Sequence, residues 1–427
     1  MKSISLIMTI IVILTLVMTA GCQKSNGPSS TQELQASPPI TLLPTPTLSP
    51  AATLLPTPTL SPTPTLSPTP TPTPTPKPIS EAPVDYITIS GVEYSTSLTS
   101  LHLGGPELSD EDIGCLRHMT NLTELILSET QINDISPLSS LVNLKVLRLN
   151  YVTQISDFAS LSGLKNFEEL YLYGTQISDT TSLSSLTNLK KLMILGGISD
   201  LRPLSNLTSL KSLCIGGGGL NDISPLSSLT NLISLLLEST LISDISPLAG
   251  LTNLTSLEVE DARIIDISPL SGLMNLKSLN LKNNQINNLL PLTGLTSIES
   301  LYLGGNPISD ISPLSELVSL RSLGLGCGDD LCNGKIKYQI SDVSPLSNLT
   351  NLTFLFLDCS EISDISPLSS LTNLTFLSLD CNEISDISPL SALTSLKELG
   401  LENNPISDWS PVAHVERVRG RPTSPSE

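Results

Sequence analysis

Aromatic side chains are scarce in this sequence: five Phe, seven Tyr and one Trp among 427 residues. Any large core must therefore be aliphatic. Histidine is scarcer still, and His102, His118 and His414 stand in no Gly-rich turn, metal motif or nucleophile elbow. No catalytic constellation is assembled, so the expectation is a non-enzyme without a cofactor. Basic residues number 21 against 40 acidic ones, a formal charge of −19. That balance excludes a nucleic-acid partner, which needs clustered Lys and Arg to release counterions, and it disfavours anionic membrane surfaces. A full-length spanning helix is lacking too. The mostly apolar run from Ile4 to Met18 is about 15 residues, a little short of the usual span.

Lys2 ahead of that run, with Thr19, Ala20 and Gly21 behind it, gives residues 1–21 the layout of a signal peptide, the alternative being an uncleaved anchor. The Ala20-Gly21-Cys22 junction resembles a bacterial lipobox, although Thr19 stands where Leu is usual. The resemblance implies lipidation of Cys22, which would become the new N-terminus and hold the protein to a membrane. Gln23 rather than Asp follows, which in a two-membrane cell implies export to the outer membrane. Either way the rest of the chain lies outside the cytoplasm, in the bacterial cell envelope.

Residues 22–83 are rich in Thr, Pro and Ser and become largely Thr-Pro alternation between Pro44 and Pro78. Such a chain has no core to fold around. Proline favours the extended left-handed helix, in which about 50 residues at ~3.1 Å each reach on the order of 150 Å. The segment reads as a stalk lifting the next domain through a cell wall, with many Thr and Ser open to O-glycosylation; a proline-rich recognition motif is the rival reading.

What the sequence has in abundance is leucine at fixed intervals. Leu349, Leu352, Leu355, Leu357, Ile362, Ile365 and Leu368 recur 22 positions on as Leu371, Leu374, Leu377, Leu379, Ile384, Ile387 and Leu390. A third copy runs through Leu393, Leu396, Leu399, Leu401, Ile406, Trp409 and Val412. Full units start at Met119, Leu141, Leu164, Leu186, Leu207, Leu229, Leu251, Leu273, Leu295, Leu317, Leu349 and Leu371, with a closing unit at Leu393. The steps are 22 residues, except for one gained near Tyr151, one lost at Gly196-Gly197 and ten inserted between Leu325 and Ile340.

Within a unit, Leu377 and Leu379 point to one side of a short strand because strand side chains alternate. Ile384, Ile387 and Leu390 return from the opposite side, and Ser388-Pro389 offers an N-cap followed by proline for a short 3-10 turn. Seven apolar groups per unit can be hidden only by the next unit. The predicted fold class is an α/β solenoid, a leucine-rich repeat horseshoe with a parallel concave sheet and short 3-10 turns on the convex side, over 98–412. Alternation around Ser90-Gly91 predicts a β-hairpin cap at 84–97. Asp110, Glu111 and Asp112 lengthen the first return loop. Residues 413–427 form a C-terminal cap and tail, with Ala413 to Val418 folding over the last layer. Asn284, Asn306, Asn382 and Asn404 stand where side-chain amides can satisfy backbone groups. Thr130, Thr175, Thr240, Ala262 and Ser360 fill that slot elsewhere, which predicts more irregular turns in the N-terminal half.

The repeats, and in particular Ile384-Ser385-Asp386-Ile387-Ser388-Pro389-Leu390, resemble those of the bacterial internalin-type leucine-rich repeat proteins, from Leu98 to Val412. The resemblance implies gripping of a protein ligand by the concave face. The sequence departs from the family pattern in having no clear helical N-terminal cap, no Ig-like module after the repeats and no LPxTG signal. Those departures count against host invasion and leave protein binding or adhesion standing.

Projecting the outward strand positions places Tyr171 and Tyr173 in one patch with Tyr151 at its lip, Tyr302 alone, and Phe354, Phe356 and Phe376 in another. Exposed rings on a rigid sheet mark binding sites, although rings that only shield the sheet are the alternative. Asp358, Asp380 and Glu402 lie around the second patch, with Glu258, Glu260 and Asp261 farther along. They suit a basic or sugar-bearing partner, a protein or glycoprotein ligand; a solvated acidic face is the bland reading. The rival to a binding protein is a structural envelope module attached to the cell's own wall or surface proteins.

Seven cysteines leave an odd one, and Cys22 is the one set apart. Cys327, Cys359 and Cys381 share one slot in consecutive units. Cys327 with Cys332 is the easiest disulfide, since parallel side-chain vectors hold stacked Cβ atoms wide. No metal site is expected: no CxxC pair or nearby His supports one. Asp134, Asp179, Asp244, Asp266, Asp310, Asp364, Asp386 and Asp408 recur in the SDISPL-type turn and read as Asx turns, a calcium ladder being the rival. The sequons of the LTNLT phrase read as turn chemistry rather than glycosylation sites.

Overall fold

Two leucines flanking one outward residue put a β period into every unit, and the structure turns each such triplet into a strand. This computed structural model describes residues 85–422 apart from 156, 176, 178, 218, 239 and 327–338. The signal segment, Cys22, the stalk, the Cys327–Cys332 pair and residues 423–427 lie outside the described residues.

The chain opens with an antiparallel hairpin, β1 (Tyr86–Ile89) and β2 (Val92–Ser95). Ser90 and Gly91 at its tip have φ of 47° and 81°, the left-handed pair that a two-residue turn matched to strand twist requires. Ile87 and Ile89 are buried. The acidic run, expected as loop, instead forms α1 (Asp110–Ile113), which continues into a 3-10 turn at Gly114–His118. The reason is local: Ser109 N–H donates to Asp112 Oδ2 at 2.9 Å, and carboxylates suit the exposed N–H groups of a first turn. Ile113 and Leu116 of this element are fully buried.

A single parallel sheet of 15 strands follows in chain order. Its first strands are β3 (Ser100–Gly104), β4 (Glu124–Ser128), β5 (Val146–Asn150), β6 (Glu169–Tyr173), β7 (Lys191–Leu195) and β8 (Ser212–Gly216). Next come β9 (Ser234–Glu238), β10 (Ser256–Val259), β11 (Ser278–Asn280), β12 (Ser300–Tyr302) and β13 (Ser322–Gly324). The last are β14 (Phe354–Phe356), β15 (Phe376–Ser378), β16 (Glu398–Gly400) and β17 (Arg417–Arg419). Equivalent residues of successive units pair, Leu355 with Leu377 and Leu377 with Leu399, so the leucines stack into continuous buried columns. This is the leucine-rich repeat solenoid. Among the described residues no helix is long and apolar enough to cross a membrane.

Short 3-10 turns such as Ser388–Ala392 line the far side of the core. Ser388 is the first residue of its turn rather than the cap; the capping group is Asp386, whose Oδ1 accepts the Ser388 N–H at 2.8 Å. Asp134, Asp244, Asp266 and Asp364 repeat the bond. These N–H donors hold the aspartates below the usual carboxylate range where a shift is resolved, as at Asp134, Asp244 and Asp386. Proline follows at the second position of the turn, where a missing N–H is harmless.

The asparagine slot behaves as the sequence implies. Asn382 Nδ2 donates to the carbonyls of Leu357, Leu379 and Asp380, and its Oδ1 accepts from Ile362 N–H. Asn306 does the same for Leu281, Leu303 and Ile286. Where the slot holds Thr130, Thr175, Thr240 or Ser360, the buried hydroxyl has no hydrogen-bond partner. In the units of Thr130, Thr175 and Thr240 the strands are longer: β3 to β9 run five residues each and β11 to β17 three, although Ser360 follows the three-residue β14. In the LTNLT phrase each amide is likewise in use; Asn253 Nδ2 donates to Thr230 O and Asn373 Nδ2 to Thr350 O, both at about one unit's remove.

At the C-terminal end Trp409 packs half-buried against the core, with Val412 and Val415 beneath the surface. The segment expected to fold over the last layer returns as β17, the edge strand of the sheet.

Candidate functional site

Residues between the core leucines face outward from the sheet, and the register lines them up in rows across the strands. One row runs Tyr171, Met193, Cys214, Leu236, Glu258, Asn280, Tyr302, Gly324, Phe356, Ser378, Gly400 and Arg419. Every aromatic residue proposed from sequence, apart from Tyr151 in the turn after β5, projects from this outward face.

The first patch is largely engaged with itself. Tyr151 and Tyr173 meet edge to face with ring centres 4.7 Å apart. Tyr151 has a left-handed φ of 55° and is 46% exposed, which places its ring at the lip. The Arg148 guanidinium lies 4.0 Å over the Tyr171 ring, a cation–π contact, while Tyr171 Oη donates to Glu169 Oε2 at 2.7 Å. Burial and then the Glu169 carboxylate push the Tyr171 hydroxyl up to about 12. Lys191 closes the cluster 3.1 Å from Glu169.

The second patch is larger than the sequence implied. Phe376 packs on Phe356 at 4.7 Å and on Phe354 at 6.4 Å, with all three rings half-buried. Tyr302 does not stand alone. Its ring lies over Gly324, where a Cβ would come within 2.8 Å of Cδ1, and its hydroxyl hydrogen-bonds with Ser322 Oγ at 2.7 Å. Gly324 is the register partner of Phe356, so the missing side chain makes one aromatic band from β12 to β15. Lys282 stands 5.3 Å from the Tyr302 ring centre at the other end.

Asp358 and Asp380, expected on the open groove, are buried, at 3% and 7% exposure. They fasten strands rather than present charge. Ser378 Oγ donates to Asp358 Oδ1, Glu402 N–H donates to Asp380 Oδ1 at 2.6 Å, and Arg419 Nη2 sits 2.9 Å from Asp380 Oδ2. Burial pushes Asp358 up to about 6 and raises Asp380 as well. Glu402 stays at the surface. Arg417 pairs with Glu398 at 2.9 Å beside a groove of about 230 Å³ next to Phe376. A second groove, of about 790 Å³, runs along the strand-entry rim between Asn121 and Asn231, where Lys145 and Lys190 share Glu168.

Sequence reasoning, which followed aromatics, missed the aliphatic stretch Met193, Leu195, Cys214 and Leu236 on the same face. Its signal was present in the strands KLMIL, SLCIG and SLLLE, where the central outward position is apolar too. Cys359 and Cys381 do stack in adjacent units, both with φ of 57°, and burial and then the neighbouring Cys381 push the Cys359 thiol up to about 12. Cys22, Cys327 and Cys332 lie outside the described residues.

The family model described as Leucine Rich repeats (2 copies) matches residues 120–166 and 372–414. No curated protein matches the chain. Among solved structures, an internalin, InlF of Listeria monocytogenes, is 32% identical, with 78% of this chain and 91% of that chain covered and a TM-score of 0.63. The leucine-rich repeat protein LIC12759 of Leptospira interrogans matches at 21% identity over 75% of this chain and 90% of that one, TM-score 0.65. The functional domain of InlJ from Listeria monocytogenes, at 19% identity over 76% and 72%, has a TM-score of 0.58. These last two are likenesses of fold. By its identity to InlF across nearly the whole of that structure, the chain belongs to the internalin-type leucine-rich repeat proteins.

Proposed function

We propose that this protein is an extracytoplasmic, lipid-anchored binding protein that holds a protein or glycoprotein ligand against the concave face of its repeats. The aromatic band of Tyr302, Phe356, Phe376 and Phe354 is the observation that carries the reading. Large rings held half-exposed on a rigid sheet bury much area at little entropic cost, and such residues dominate binding energy at interfaces. Adhesion through a stalked domain anchored at Cys22 follows from the same reading.

The rival, a structural module bound to the cell's own envelope, draws support from the first patch, where Arg148, Glu169 and Tyr151 already occupy the rings. Immobilised full-length protein and its Phe354→Ser, Phe356→Ser, Phe376→Ser variant, offered envelope extract and foreign-cell extract in parallel, separate the two. A foreign protein retained by the wild type and lost by the variant is expected. Envelope material retained equally by both would overturn the reading in favour of the structural one.

A further inference from the structure

Between the two aromatic patches the concave sheet has an apolar floor that ends abruptly in acid. Met193 of β7, Cys214 of β8 and Leu236 of β9 are register partners across three strands. Leu195 widens this floor: a Cβ at Gly216 would come within 2.6 Å of Leu195 Cδ2, so the leucine side chain lies over β8 in the space that glycine leaves. The next register partner of Leu236 is Glu258.

The groups facing Glu258 can be taken strand by strand. From β9 comes Glu238, from the end of its own strand Glu260, and from the β11 side Asn280 and Lys282. Cys214 of β8 is a neutral thiol, pushed up to about 12 by burial and then by Glu238 and Glu258. Asn280 Nδ2 donates to Glu260, whereas the Lys282 ammonium is drawn toward the Tyr302 ring. Among the described residues no ion pair reaches Glu238, Glu258 or Glu260. Three carboxylates thus crowd together half-buried, and burial followed by repulsion from Glu260 and Glu238 pushes Glu258 up to about 7.

An open apolar floor beside three carboxylates, of which Glu258 is only partly offset by Lys282, is complementary to a chain that carries ammonium or guanidinium groups next to aliphatic ones. We propose that the middle of the concave face docks a cationic amphipathic segment of the protein ligand, with its Lys or Arg among Glu238, Glu258 and Glu260 and its apolar side chains on Met193, Leu195 and Leu236. This rests on the concave-face reading and narrows the partner to one with a basic docking segment. An arriving cation favours ionised carboxylates, so its affinity rises with pH through about 7.

Fluorescence anisotropy on the full chain tests this with three labelled synthetic peptides of equal length, alternating Leu-Lys, Leu-Glu and Ser-Lys. The Leu-Lys peptide is expected to bind and the Leu-Glu peptide not to. A Glu238→Gln, Glu258→Gln double variant, checked for fold by circular dichroism, should weaken Leu-Lys binding by about tenfold or more and flatten its rise between pH 6 and 8. A Glu316→Gln variant, changed at an exposed acidic residue beyond the 3-10 turn Ser312–Leu314 and off the concave face, should bind that peptide as the wild type does. Equal binding of Ser-Lys and Leu-Lys would reduce the effect to attraction by the net charge and overturn the proposal. So would indifference to the double variant, or a dimer of the chain that the peptide fails to dissociate. If ligand capture still depends on the phenylalanines in any of those cases, the concave-face reading survives and only this inference falls.

Discussion

Gly400 lies between Asp380 and Arg419, and its missing side chain is what lets the carboxylate cross β16 to meet the guanidinium at 2.9 Å. A Cβ at that position would stand 2.7 Å from Asp380 Oδ2 and 2.9 Å from Ser378 Oγ, so one glycine decides whether the edge strand is tied to the sheet through a side-chain bridge.

Gly400→Ala is accordingly expected to destabilise the protein by about 1–3 kcal/mol, the usual range for overpacking a filled site. Because Arg419 belongs to the edge strand, the loss should appear first as faster amide exchange in β17 and only later in β14 and β15. Exchange that rises evenly across the repeats would show that the bridge does not hold the end.

The asparagine slot yields a paired test. Asn382→Thr removes the amide that serves three carbonyls and one N–H, leaving buried backbone groups without that partner at a cost of roughly 1–3 kcal/mol. The reverse change, Thr240→Asn, replaces a buried hydroxyl that has no partner with a group able to serve the same backbone positions, and should stabilise by about 1 kcal/mol. Urea midpoints of the two variants, moving in opposite directions, would support the slot as a stability determinant. Movement of both toward lower urea would mean that the five-residue strands of the N-terminal half leave no room for the amide.

The repeat, its parallel sheet and the hairpin cap were legible because each follows from a short periodic pattern: Leu377 and Leu379 across one residue, Ser90 and Gly91 at a turn. What escaped depended on residues with little or no side chain and on the competition of neighbours. Gly324 and Gly400 look like gaps in the outward row, yet each is the space into which an adjacent strand's Tyr302 or Asp380 reaches. Asp358 and Asp380 read as surface charge because their positions follow the strand, but the chain bends there and buries them against Ser378. The run Asp110 to Asp112 read as loop because so short a run shows no helical period; its helix is closed by the Ser109 N–H and hydroxyl, which both donate to Asp112.

The anchor at Cys22 has a direct chemical test. Expressed in a bacterium fed a labelled fatty acid, the wild type should take up label and fractionate with membranes, and Cys22→Ala should do neither. Label retained by the variant would point to acylation elsewhere, and membrane retention without label would favour the uncleaved signal anchor.

Two carboxylate populations of opposite sign predict how stability varies with pH. Asp358, pushed up to about 6 by burial, binds its proton more readily folded than unfolded; its ionisation weakens the fold above that pH, and the penalty is relieved as pH falls toward the ordinary value of 3.8. Glu258, at about 7, adds the same sign over its own range. The turn aspartates, Asp134, Asp244 and Asp386 among them, are held below 3.8 by the N–H groups they cap, so their contribution is present above that value and is lost as pH falls through their folded values. The Tm should therefore rise from pH 8 to about 5 and fall below about 4. Relief of the −19 net charge acts in the same direction on the upper limb, and Asp358→Asn separates the two causes. If the buried carboxyl matters, that variant should raise stability at pH 8 by up to about 3 kcal/mol and shorten the rise on acidification, since about two pKa units are at stake. An unchanged rise in the variant would assign the upper limb to net charge alone, and a Tm that falls steadily from pH 8 downward would mean that neither Asp358 nor Glu258 is strained when ionised.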